Sequence, residues 1–162
     1  MILKAYASLD VGQIHYRYVE GDSRTPLVLF HRAPASSESF EPMMVEMAGD
    51  RPLFALDTPG FGGSFDPKGD LELDQLAEWF SAALDTIGVE EMHIFGDHTG
   101  THFASALAIQ QPDRVKSVIL NGLTYWSKST ARDVAESLPP KVERSQSGSH
   151  LIEIWDRISN LF

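Results

Sequence analysis

The sequence contains no cysteine, which removes disulfides, thiolate zinc sites and a cysteine nucleophile from consideration. It has no apolar run approaching the roughly 20 residues of a membrane span. Its first ten residues carry one lysine and only brief apolar stretches, unlike the charged and then continuously apolar pattern of a secretory signal. The expected location is therefore cytoplasmic. Basic residues are scarce: 13 Lys and Arg stand against 23 Asp and Glu, for a formal net charge of -10. Such a surface repels phosphate backbones and anionic headgroups, which argues against nucleic acid and membranes as partners. The simplest use of that acidity is solubility. What the chain does have is 43% hydrophobic residues over 162 positions, enough for one domain with a core.

The apolar residues recur with two periods. Gln13 to Glu20 alternates, with Ile14, Tyr16 and Tyr18 on one face and His15, Arg17 and Val19 on the other, the period of a half-buried strand. Leu27 to Phe30, Leu53 to Leu56, His93 to Phe95 and Val115 to Leu120 are short and rich in branched or aromatic residues, as suits strands of a parallel sheet buried on both faces. Helical spacing lies between them. Phe40, Met43, Met44 and Met47 fall at i, i+3, i+4 and i+7, a stripe read as core with no functional role. Leu73, Leu76, Phe80, Ala83, Leu84 and Ile87 mark a longer helix that Gly88 should cap. A third runs from Thr99 to Gln110, and Pro112 stops it. Strands alternating with helices predict an α/β fold, a mostly parallel sheet flanked by helices. After Asn121 the pattern changes to Pro139-Pro140, a polar stretch, and an amphipathic helix carrying Leu151, Ile154, Trp155, Ile158 and Leu161.

Gly96-Asp97-His98-Thr99-Gly100 follows a predicted strand and opens a predicted helix. That is the setting a G-x-S-x-G nucleophile elbow requires, with imidazole in place of the serine hydroxyl. His31-Arg32-Ala33-Pro34 resembles the His-Gly-x-Pro turn of α/β-hydrolases. Asp57 to Ser64 resembles their Asp-x-Pro-Gly-x-Gly-x-Ser loop, and Gln111 to Val115 their His-Pro-Glu-Arg-Val passage. Four landmarks in family order, over about residues 13 to 122, identify the chain as a member of the α/β-hydrolase fold family. It is most similar to a subgroup with a His-Thr-Gly elbow and a Thr-Pro-Gly loop, in which a Gly-Ser-His-Leu stretch like Gly148 to Leu151 lies in a helical cap.

The resemblance implies that residues 1–122 are the N-terminal part of the hydrolase core and 123–162 part of the cap. It implies that the N–H groups of Ala33 and Thr99 hold the oxyanion and that His31 braces the turn. In complete members the acid and histidine of the triad follow the cap, and no counterpart of either precedes Phe162. Arg32 departs from the family glycine, so the turn would either hold its N–H groups differently or present a cation at the mouth of the pocket. The strand at Val115 to Leu120, without the two strands that follow it in the family, would be an edge, so a homodimer or a complex with a C-terminal half is expected.

His98 can be weighed on its own chemistry. A serine needs an adjacent base, whereas a free imidazole, with a pKa of about 6.5, is largely deprotonated at neutral pH and can act without one. Nucleophilic attack, activation of water and proton abstraction all stay open. The expected activity is hydrolysis of a small ester or related carbonyl compound, with His98, Ala33 and Thr99 catalytic and His31, Arg32 and Asp97 contacting substrate. No cofactor is implied. The rival is a catalytically inactive binding or assembly subunit in which His98 only fills the elbow. His102, four residues on, gives the spacing of a two-histidine metal pair, but no third ligand is evident. His15, His93 and His150 read as strand, sheet-end and surface residues. The glycines at 60, 62 and 63 lack the last glycine and the helix start of a dinucleotide fingerprint, so Asp57 is expected to anchor its own tight loop.

Overall fold

The computed structural model describes residues 1–69, 71–123 and 142–159. The chain divides into two compact units, Met1–Thr124 and Tyr125–Phe162. The first holds six strands, β1 (Leu3–Leu9), β2 (Gly12–Val19), β3 (Leu27–Phe30), β4 (Leu53–Leu56), β5 (Met92–Asp97) and β6 (Val115–Asn121). Its helices are α1 (Glu41–Glu46), α2 (Leu73–Thr86) and α3 (Gly100–Gln110), with a 3-10 turn at Ser37–Phe40 before α1. The sheet order is β1-β2-β4-β3-β5-β6. β1, β2 and β4 pair antiparallel, whereas β4, β3, β5 and β6 run parallel.

That order places the site. From β3 the chain crosses to β4 on one side and then to β5 on the other, so the sheet reverses direction at the β3–β5 seam. In open α/β sheets the loops leaving the strand ends at such a reversal diverge and leave a crevice. Here those loops begin at His31 and His98. β3 and β5 are in register with Phe30 opposite Gly96, which brings the two loops level.

The core explains the periodicities. Leu76, Ala77, Phe80, Ala83 and Leu84 of α2 are buried, and Phe80 lies 4.7 Å from Phe30 and 5.6 Å from Phe103 between ring centroids. Each such aliphatic or aromatic side chain contributes about 1.5 to 3 kcal/mol on leaving water. α2 ends where expected: Gly88 takes a φ of +75° just beyond the helix. The methionine stripe is core only in part, because Met44 is fully buried while Met43 and Met47 pack at its margin. α1 is also shorter than the stripe predicts, since Phe40 closes a 3-10 turn before it.

Two features differ from expectation. β1 is not among the strands expected from the sequence, although Leu3, Ala5, Ala7 and Leu9 alternate with Lys4, Tyr6 and Ser8; two of its four inward residues are only alanine, and the strand is held by full register with β2. The face of β2 with His15, Arg17 and Val19 is as buried as the face with Ile14, since all four are at or below 8% exposure. Burying Arg17 is possible because Glu41, Ser37 and Glu38 accept from its Nε, Nη1 and Nη2 at 2.8, 2.7 and 3.2 Å, as an interior charge requires.

β6 is the last strand on its side of the sheet among the described residues, and Ile119, Leu120 and nearby Leu123 are exposed on it. In the second unit, α4 (Ser149–Ser159) follows Gly148 and exposes Leu151, Ile152 and Trp155. Pro139-Pro140 and Leu161 lie outside the described residues.

Candidate active site

His98 sits between β5 and α3 with a φ of +48°, the left-handed region that side chains with a Cβ rarely occupy. The flanking glycines make that turn possible. A Cβ on Gly96 would fall 2.5 Å from the Gly100 carbonyl oxygen, and one on Gly100 would fall 2.1 Å from that of Phe30. The elbow thus lies directly on the end of β3. The His98 N–H donates to the Asn121 carbonyl at 2.8 Å, and its carbonyl accepts from the Thr101 N–H at 3.0 Å. Backbone bonds on both sides leave the ring free to project.

The ring is 55% exposed, and its Nδ1 lies 3.1 Å from Asp97 Oδ1. A carboxylate oxygen only accepts, so in this bond Nδ1 carries the proton, and in the neutral imidazole the lone pair lies on Nε2. Asp97 is itself held: Asn121 Nδ2 donates to Oδ1 at 2.8 Å, and Arg32 Nε stands 4.0 Å from Oδ2. Gly122 packs against the imidazole, for a Cβ there would be 2.9 Å from His98 Cε1.

The turn and the elbow meet. The Ala33 N–H donates to Thr99 Oγ1 at 2.6 Å, so one of the two N–H groups expected to hold an oxyanion is occupied by a hydroxyl of the elbow. The Thr99 N–H has no acceptor among the described residues. His31 accepts from the Thr58 N–H at Nε2 and donates from Nδ1 to the Arg32 carbonyl, both at 3.0 Å. Its two bonds fix the neutral tautomer and tie the turn to the loop after β4.

Burial drives the His31 pKa below its ordinary 6.5, against the opposing pull of its bond to Arg32 and the Asp57 charge. Between 6.5 and that lower value the unfolded chain binds a proton that the folded one refuses. Stability is therefore complete above about pH 6.5 and falls as the pH drops through this window. Urea midpoints measured from pH 7.5 down to 5 should decline, and His31→Gln, whose amide oxygen can still accept from Thr58, should flatten the decline. An unchanged slope in that variant would remove His31 as its source.

Sequence reasoning missed a buried cluster behind the turn. Asp57 is 1% exposed and accepts from the Ser37 N–H at 2.6 Å, the Gly63 N–H at 2.8 Å and His15 Nδ1 at 2.8 Å. Burial raises its pKa, but the hydrogen bonds from Ser37, Gly63 and His15 outweigh that and hold it below 3.8. Asp57 does anchor its own loop, as expected, and also ties it to β2 and to the start of the 3-10 turn. The available signal was the polar face of β2. Thr58 Oγ1 is buried and has no hydrogen-bond partner among the described residues.

The remaining histidines are dispersed. His93 Nδ1 bonds Ser117 Oγ across β5 and β6 at 2.7 Å, and His150 Nδ1 accepts from the Ser145 N–H at 3.2 Å. Among the described residues no group of three or more His, Asp or Glu is placed to hold a metal ion, and His102 joins none. Nor is any described helix long and apolar enough to cross a membrane.

Known proteins resemble this chain in sequence and fold. The chain is 26% identical over 152 residues to a proline iminopeptidase of Heyndrickxia coagulans, covering 90% of this chain and 52% of that protein. It is 26% identical over 145 residues to a 2-(acetamidomethylene)succinate hydrolase of Mesorhizobium japonicum, covering 90% and 50%. The crystal structure of naproxen esterase from Bacillus subtilis superposes with a TM-score of 0.67 at 26% identity, over 73% of this chain and 42% of that one. The chain thus spans about half the length of the curated relatives it matches. A profile of the alpha/beta hydrolase fold matches residues 25–144, a span that runs from β3 through the elbow and past β6, and the chain belongs to that family.

Proposed function

We propose that the chain carries the elbow of a hydrolase acting on a small ester or related carbonyl compound, with His98 as general base or nucleophile. One observation carries this reading: the Asp97–His98 bond engages Nδ1, so that in the neutral imidazole Nε2 is the nitrogen with the lone pair, next to the turn that carries the Ala33 and Thr99 N–H groups. As a base, Nε2 takes a proton from water while the hydroxide adds to the carbonyl carbon. The carbonyl electron pair moves to an oxygen that the two N–H groups receive. Collapse expels the alkoxide, which takes the proton back from Nε2. As a nucleophile, Nε2 adds to the carbonyl carbon, and the adduct collapses and expels the alkoxide, which takes a proton from water. Hydroxide then adds to the acyl-imidazole and releases the carboxylic acid with the imidazole restored. Either route needs the Thr99 hydroxyl to rotate off the Ala33 N–H. His31 braces the turn from behind, and Arg32 and Asp97 border the substrate.

The His-Thr-Gly elbow supports placement in the subgroup that carries it. The relatives are named as an iminopeptidase, a hydrolase of a succinate derivative and an esterase, which suits carbonyl chemistry. Residues 1–122 serve as the core and 123–162 as the beginning of a cap, in a cytoplasmic protein. The exposed apolar edge at β6 supports assembly as a homodimer or with a C-terminal half.

The test is turnover of p-nitrophenyl acetate by the protein and by His98→Ala. Loss of an essential base is expected to lower the rate by about 10²- to 10⁴-fold. Equal rates would favour the second reading, an inactive binding or assembly subunit, which draws support from the hydroxyl already seated on the Ala33 N–H.

A further inference from the structure

We propose that Arg32 makes this site selective for substrates that carry a carboxylate in addition to the reacting carbonyl. The inference rests on the site just described and concerns what it selects. Five arginines fall within Met1–Thr124, and four of them are used internally. Arg17 serves Glu41, Ser37 and Glu38, Arg24 serves Asp22 and Asp50, Arg51 serves Asp50, and Arg114 serves Ser81 and the carbonyls of Val89 and Glu90. Arg32 differs. Its guanidinium makes no hydrogen bond to any described residue, and its single charged neighbour is Asp97 Oδ2, 4.0 Å from Nε.

That arrangement leaves a usable fork. Asp97 attracts the guanidinium by its Nε edge, and its other oxygen is engaged by Asn121 and His98. Nη1 and Nη2 keep their donors, and the side chain is 52% exposed. A planar pair of N–H donors matches a carboxylate in two parallel bonds, which a lysine ammonium cannot reproduce. Arg32 is the residue before Ala33, whose N–H is proposed to receive the oxyanion, so a carboxylate on the fork would hold the carbonyl of the same molecule near His98. On a chain of net charge -10, a cation without a hydrogen-bonded partner beside the elbow is also the local feature that draws an anion in.

The probes are 4-oxopentanoate and its neutral isostere 4-oxopentanamide, titrated into the protein while the amide signals of Ala33 and Thr99 are followed by NMR. The anion should shift both signals saturably and bind at least about tenfold more tightly than the amide. Arg32→Gln should bring the two ligands within about twofold of each other, with Arg32→Lys between, and added salt should weaken the anion alone. Equal binding of the two ligands, no saturable shift with the anion, or a preference that survives Arg32→Gln would overturn the proposal. Turnover separates it from the hydrolase reading. An Arg32-dependent preference without hydrolysis of monomethyl succinate would overturn catalysis and leave the carboxylate site. Hydrolysis of that ester and of methyl succinamate with the same kcat/KM, in the protein and in Arg32→Gln, would do the reverse.

Discussion

Replacing Asp57 by alanine should lower the stability of the Met1–Thr124 unit by about 3 to 5 kcal/mol, because one buried acceptor that serves three donors is lost at once. The side chain is 1% exposed and receives donors from three segments. Removing it strands the buried Ser37 N–H and His15 ring, each orphaned donor costing about 1 to 3 kcal/mol, and also releases the Gly63 N–H of the loop. Domains are held by about 5 to 15 kcal/mol in all, so a large share would be lost. Asp57→Asn keeps one oxygen acceptor and should fall between. Urea unfolding followed by tryptophan fluorescence measures both, and a change below about 1 kcal/mol in the alanine variant would show that the cluster closes over the gap.

Gly100→Ala should be nearly as damaging, although alanine is the better helix former by about 1 kcal/mol. Gly100 begins α3, and an added Cβ would fall 2.1 Å from the Phe30 oxygen, 2.7 Å from its carbonyl carbon and 3.0 Å from the His31 oxygen. Those are backbone atoms at the end of a buried strand, and they cannot turn aside as a flexible side chain would. Overpacking in a well-filled core costs about 1 to 3 kcal/mol, occasionally more, and contact with rigid backbone on three atoms puts this case at the upper end. The helix would have to lift from β3, separating Thr99 from Ala33. A thermal melt of the variant tests the first effect, and loss of the Ala33 amide shift characteristic of its bond to Thr99 tests the second. A variant that melts with the parent would show that the elbow is less tightly seated than Gly100 implies.

The parallel strands and α2 were legible because burial on both faces leaves continuous apolar runs at β3 and β4, and burial on one face leaves a period of 3.6 at α2. The elbow was legible because its glycines are demanded by backbone contact. β1 was not, because a strand secured by its neighbour's register needs little apolar content of its own. The inward turn of His15 and Arg17 was hidden for a related reason. Each is buried only because Asp57, Glu41 or Ser37 arrives from elsewhere in the chain, and no local pattern records a partner 20 or more residues away. The site divides the same way. His31, Arg32, Asp97, His98 and the neighbours Ala33 and Thr99 do gather at the β3–β5 seam, but the Thr99 hydroxyl resting on the Ala33 N–H depends on a side-chain torsion.

The left-handed backbone at residue 98 has a consequence for how variation there is interpreted. An exposed side chain ordinarily tolerates most replacements, so restriction at an exposed position is commonly taken as a mark of function. At a φ of +48° the chain itself imposes restriction: glycine fits at no steric cost, asparagine and aspartate are tolerated, and β-branched residues are strongly disfavoured. A library at this position selected only for folded yield should already be depleted of valine, isoleucine and threonine. Only the part of the restriction that remains after this backbone filter, seen when the same library is selected for chemistry, speaks to what the imidazole does.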